Sequence, residues 1–262
     1  MAVKYRIALA FATLAIWLLI MFWGAWLPSE PRSLASGVAG GIAVPIVLAS
    51  LFLLAVMATT RWGDLGFNAP RPWNSLRVLI APGLYLVLFF AGTLLVGWPV
   101  PATVAFLAVN ALLVGFSEET MFRGVLYRGL RSRLSFWPAA WVTSAIFGCV
   151  HVLNSLGTGD LLAASLQAIT AFMAGTFFLA VVLRTRSILP AILLHAAWDF
   201  LLLTMASSTP DIGPIEPSLV TLSLPLLLDL PLFIYALFIL RKAAAQEREL
   251  GSAGAALSSA SA

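Results

Sequence analysis

Read for hydropathy alone, the chain is a series of long apolar runs broken by short polar stretches. Eight runs of helical length stand out, about 7–27, 38–59, 77–98, 102–122, 136–154, 161–183, 187–206 and 218–240. Each is near the ~20 residues that cross a bilayer. Lipid offers no partner to backbone N–H and C=O groups, so these runs predict helices. Glycine and proline recur inside them, as membrane helices tolerate. The first run follows MAVKYR. It is too long for a signal-peptide core and lacks a small-residue cleavage site after it, so an uncleaved first helix is expected. The longest break, roughly 207–217, is too short to fold alone, and the ending GSAGAALSSASA is small-residue low complexity. The expectation is all-α and polytopic: one eight-helix transmembrane domain over 1–242, with a disordered tail at 243–262. No internal repeat is visible.

Composition agrees. Of 262 residues, 61% are hydrophobic and 10% charged, against about a quarter charged in soluble domains. The net charge of +4 is a matter of placement. Lys4 and Arg6, Arg61, Arg71 and Arg77, Arg128, Arg131 and Arg133, Arg184 and Arg186, and Arg241, Lys242 and Arg248 all flank spans on one side if both termini are cytoplasmic. The other side has Arg32, offset by Glu30, with Asp160, Asp211 and Glu216. This is the positive-inside pattern, and it favours an even number of spans. Attraction to anionic lipid fits it; nucleic-acid binding does not. The lone Cys149 excludes an intrachain disulfide and a CxxC metal site, and reads as a small buried hydrophobe.

Ionisable residues inside spans are costly and mark function by default. Here they are Glu118, Glu119, Arg123, His151, His195, Asp199 and Asp229, including both histidines of the chain. Glu119 and Arg123 are i,i+4 and predict an ion pair, with Glu118 turned by about 100° to face elsewhere. Phe147 with His151, and His195 with Asp199, repeat the i,i+4 spacing. Measured from the cytoplasmic end at ~1.5 Å per residue, Glu118 lies roughly 15 Å deep, His195 roughly 14 Å and His151 roughly 20 Å, provided the fourth helix runs unbroken to about Arg133. Taken singly, each has an ordinary structural explanation. A histidine can bond between helices, Glu118 can be a second partner for Arg123, Asp199 can simply orient His195, and Asp229 can bond to backbone with no catalytic role. Convergence at one depth favours a site.

A carboxylate and a histidine can activate water, and a second histidine can donate to an oxyanion. Neither Ser117 nor Cys149 is supported as a nucleophile. The consistent reaction is amide hydrolysis by activated water, with no cofactor required. Two histidines and a carboxylate with water in the fourth position also describe a catalytic zinc site. Its ligands would be Glu118, His151 and His195, and the sequence leaves that account open.

The segments SEETMFRG, FGCVH and HAAWD resemble the motifs EExxxR, FxxxH and Hxxx(D/N) of the CPBP family, the CAAX proteases and bacteriocin-processing enzymes also called the Abi family. The motifs occur in family order over residues 117–199, which makes that stretch the motif core. The resemblance implies intramembrane peptide-bond hydrolysis. In it Glu118 and His151 activate water, His195 and Asp199 stabilise the oxyanion, and Glu119 and Arg123 support, with Phe147 and Asn154 completing the supporting set. The CAAX branch has Asn at the place of Asp199, and a carboxylate cannot donate unless protonated, so Asp199 reads better as an orienter of His195. The expectation is an endopeptidase of a bacterial plasma membrane, acting on a prenylated or leader peptide. A proton-coupled transporter and a non-catalytic immunity or binding protein are the rival readings. Membrane lipid and a peptide substrate are the expected partners, and no oligomeric state follows.

Overall fold

The computed structural model describes residues 5–23, 33–60, 62–208 and 219–260. Within them every regular element is a helix. In chain order these are α1 (Arg6–Met21), α2 (Leu34–Ala39), α3 (Val44–Thr60), α4 (Ile80–Val96), α5 (Pro101–Glu119), α6 (Tyr127–Arg131), α7 (Phe136–His151), α8 (Ser155–Thr158), α9 (Leu161–Thr185), α10 (Leu189–Ser208) and α11 (Leu219–Ala260). A 3-10 turn over Trp73–Leu79 leads into α4, and another, Val152–Asn154, joins α7 to α8.

Six helical stretches among the described residues are long and apolar enough to cross a membrane: Trp73–Val96, Pro101–Arg131, Phe136–Thr158, Leu161–Thr185, Leu189–Ser208 and Leu224–Glu249. The protein is an all-α polytopic membrane protein. The runs at 7–27 and 38–59 appear as shorter apolar helices, α1 with 16 residues and α3 with 17. An exact count of eight is therefore not carried by helix length. Part of the first run and nearly all of the 207–217 break lie outside the described residues.

The fourth helix continues to Arg131, close to the Arg133 that the depth comparison assumes. α5 passes without a break into a π-helical segment, Thr120–Leu126, and then into α6. The carboxylates and the arginine lower local hydropathy, yet Glu119 and Arg123 are wholly buried and neutralise each other, so they do not end the helix. All seven residues of the π segment are buried. Such wider turns survive where surrounding packing holds them, often at functional sites.

The centre of the bundle is formed where α7 packs on α9, α9 on α11, and α10 on α5 and α4. Small residues set the close approaches. A Cβ at Gly115 would lie 2.7 Å from the Ile192 carbonyl oxygen, and one at Gly148 would lie 2.6 Å from that of Ala168. Glycine thus lets α5 meet α10 and α7 meet α9 almost backbone to backbone, as in other membrane helix pairs.

Several of the described basic flanks make polar contacts between elements. Arg6 pairs with Asp64 and Arg131 with Glu247, while the Asn68 side chain donates to the Arg186 carbonyl. The stretch expected to be a disordered tail is helical through Ala260. Its alanines favour helix, Ala244 is buried, and the Arg131–Glu247 pair ties this stretch to α6. Cys149, expected inside, is exposed on α7. It sits two residues from Phe147 and from His151, on the opposite side of the helix from the core.

Candidate active site

Three helices deliver the polar motif residues to one place. α5 and its π continuation carry Glu118, Glu119 and Arg123, α7 carries Phe147 and His151, and α10 carries His195 and Asp199. The anchor is a fully buried ion pair. Arg123 Nη1 donates to Glu119 Oε1 at 3.0 Å, and Nη2 donates to the Gly175 carbonyl of α9 at 3.0 Å. The guanidinium carbon lies over the Phe147 ring, 4.2 Å from its centroid, and 5.5 Å from the centroid of Phe178. Planar arginine suits such stacking and forked bonding better than lysine.

Glu119 does more than neutralise Arg123. Its Oε1 also accepts from His195 Nδ1 at 2.8 Å. This fixes the ring so that Nε2 points towards Glu118 Oε2, 3.8 Å away, and Asp199 Oδ2, 3.5 Å away. Asp199, expected to orient His195, thus lies beside Nε2, while Glu119 holds Nδ1. A carboxylate orients an imidazole through the nitrogen opposite the working one; at Nδ1 that carboxylate is Glu119, whereas Asp199 stands beside Nε2. Phe178 stacks on the same imidazole, with centroids 4.7 Å apart and planes 12° from parallel.

His151 is held differently. Its Nδ1 lies 2.8 Å from the Phe147 carbonyl oxygen. A carbonyl only accepts, so Nδ1 carries the hydrogen, and in the neutral ring Nε2 keeps the lone pair. Phe147 packs edge-on against both histidines, at 4.9 Å from His151 and 6.3 Å from His195.

Glu118 and His151 line one cavity of about 330 Å³, whose wall also includes Trp17, Val38, Ile46 and Asn154. Glu118 is only 13% exposed, and its Oε2 is buried without a hydrogen bond. An unsatisfied buried acceptor costs about 1–3 kcal/mol, so it calls for a functional explanation. His151, His195 and Asp199 face a second cavity of about 350 Å³, between α4, α7, α9, α10 and α11. His151 thus stands between two cavities. Asp229 lines the second one as well, so the residue read as an isolated backbone partner shares a space with the site.

The sequence reading missed Gly175, Phe178, Trp17 and Gln167. Trp17 Nε1 donates to Ser117 Oγ at 2.8 Å, and Asn154 Nδ2 donates to Gln167 Oε1 at 2.8 Å. Gly175 had a signal, a small residue amid bulky ones in MAGTFF. A Cβ there would lie 2.7 Å from Phe147 Cδ1 and 3.1 Å from Arg123 Nη2. Gln167 also had one, being an uncharged polar side chain inside a span. Phe178 had none, because its stacking depends on how α9 meets α10.

Among the described residues, no three His, Cys, Asp or Glu side chains are placed to hold one ion. His195 bonds through Nδ1 to Glu119 and His151 bonds through Nδ1 to the Phe147 carbonyl, which leaves Nε2 of each ring available.

With this geometry established, the comparison with known families is specific. Residues 99–201 match the model of the family described as Type II CAAX prenyl endopeptidase Rce1-like. The resemblance covers that segment, which is less than half of the chain. The match begins just before α5 and ends within α10, so all three motifs fall inside the Rce1-like segment. No curated protein and no solved structure matches the chain. The match supports a reading of the chain as a membrane protease.

Proposed function

We propose that the chain is a glutamate-type intramembrane endopeptidase that cleaves a membrane-associated peptide, prenylated or leader, with water activated by Glu118 and His151. The observation that carries this reading is the buried, unpartnered oxygen of Glu118 on a carboxylate that shares a cavity with His151. Glu118 removes a proton from the water as its oxygen attacks the peptide carbonyl carbon. His151, with its lone pair on Nε2, shares that general-base work and relays the proton to the departing amine. The carbonyl oxygen becomes an oxyanion. His195 in its doubly protonated form, steadied through Nδ1 by Glu119, donates to it from Nε2. Asp199, an acceptor beside Nε2, balances the charge of that ring. The products are a carboxylate and an amine.

On this reading the eight apolar helices form one transmembrane domain of a bacterial plasma membrane. The arginine-rich flanks lie in the cytoplasm together with both termini. The test is reconstitution into proteoliposomes with prenylated and unprenylated peptides, with and without a chelator. Cleavage that persists in chelator, and is lost in His151→Ala and in His195→Ala, is the expected result. Chelator-sensitive cleavage would return the zinc account. A proton flux without any cleavage would return the transporter.

A further inference from the structure

A further cavity lies away from the site. It measures about 550 Å³ and lies between the 3-10 turn before α4, the C-terminal end of α9, and α11. Arg77, Arg184, Arg186 and Lys242 line it, and no acidic side chain does. All four cations are exposed, and none is ion-paired with a carboxylate among the described residues. Four like charges from three elements repel one another across such a space. Elsewhere among the basic flanks cations do find acids, as Arg6 finds Asp64 and Arg131 finds Glu247.

A second observation comes from the wall. Ser75 lines the same cavity and is wholly buried, and its hydroxyl has no hydrogen-bond partner. Unsatisfied buried hydroxyls are uncommon in folded chains. Below the cations the lining turns apolar with Val78, Leu183 and Ile239, and it opens beside the exposed Phe238 on the outer face of α11. Cations at the rim of a span and apolar surface beneath them match a phosphate-bearing head and the chain attached to it.

We propose that this cavity binds a phosphate group, held by Arg77, Arg184, Arg186 and Lys242, and clamps α11 against α9. The phosphate comes from an anionic phospholipid of the bilayer or from a soluble phosphate. Forked bonds from arginine suit phosphate oxygens, and basic pockets between helix ends hold lipid head groups in other membrane proteins. The volume lies within the ordinary range for a ligand site, about 300–1,000 Å³.

The experiment uses the full chain in nanodiscs. One set contains phosphatidylcholine alone, one contains phosphatidylcholine with phosphatidylglycerol, and one contains phosphatidylcholine with inorganic phosphate in the buffer. The readout is the thermal unfolding midpoint as each anion is titrated. The cavity variant is Arg77→Gln with Arg184→Gln and Arg186→Gln. The control removes equal charge outside the cavity, by Arg71→Gln with Arg133→Gln and Arg241→Gln. The wild type and the control should be stabilised by phosphatidylglycerol or by phosphate, and whichever anion acts identifies the source. The cavity variant should need roughly tenfold or more anion for the same shift. Should the triple variant fold poorly even in phosphatidylcholine, the single exposed change Lys242→Gln should still weaken the response. No shift from either anion overturns the proposal. Equal weakening in the control also overturns it, because that outcome means diffuse attraction to a charged surface.

Discussion

Replacing Arg123 with methionine tests how the site is held together. The wild-type guanidinium is fully buried and makes two bonds of 3.0 Å, to Glu119 and to the Gly175 carbonyl. Methionine keeps much of the volume, so cavity formation contributes little. What changes is charge: Glu119 remains wholly buried with only His195 Nδ1 as its hydrogen-bond partner. Breaking a buried pair from one side costs about 3–5 kcal/mol, because the remaining ion is uncompensated. His195 still compensates part of the Glu119 charge, so the loss should fall near the low end, about 3 kcal/mol. Adding Glu119→Gln removes the stranded charge while leaving an amide oxygen to accept from His195. That double variant should recover all but about 1 kcal/mol. The assay is reversible unfolding in mixed micelles followed by tryptophan fluorescence, with Trp17 and Trp198 both lining the cavities of the site. The reasoning fails if Arg123→Met loses less than about 1 kcal/mol, or if the double variant is no more stable than the single one.

Other substitutions probe the supports one at a time. Gly175→Ala places a methyl 2.7 Å from the Phe147 ring, which should cost about 1–3 kcal/mol and lower kcat by displacing a ring that touches both histidines; unchanged stability and turnover would contradict this packing. Gly115→Ala puts the new Cβ against the Ile192 carbonyl, a rigid neighbour, and should separate α5 from α10 enough to reduce both stability and cleavage. Ser117→Ala strands the buried Trp17 indole N–H and should destabilise by about 1–3 kcal/mol with little effect on metal or chelator response, as unfolding and cleavage assays on the same preparation would show.

Much of the helical layout follows directly from hydropathy, since lipid forces each apolar run into a helix. The Glu119–Arg123 pair follows from i,i+4 spacing, and the approach of His195 to Glu118 follows from similar depth along separate helices. Three features depend on how helices meet, which spacing along one chain does not encode. The π turn at Thr120–Leu126 replaces an ordinary helix because neighbouring packing holds it. The bond from His195 Nδ1 to Glu119 was not expected, because it depends on the rotation of α10 against α5. The stacking of Phe178 on His195 joins α9 to α10 and leaves no pattern in either.

The central claim is that Glu118 is the base while Glu119 is structural. The most direct measurement is single-turnover cleavage of a membrane-associated peptide by reconstituted Glu118→Gln, alongside its unfolding midpoint. Glutamine keeps the shape of the side chain and removes only its ability to take a proton. The account predicts that cleavage falls by a factor of about 10²–10⁴, the usual worth of a positioned general base, with stability equal to wild type. Wild-type-like cleavage by Glu118→Gln would contradict it.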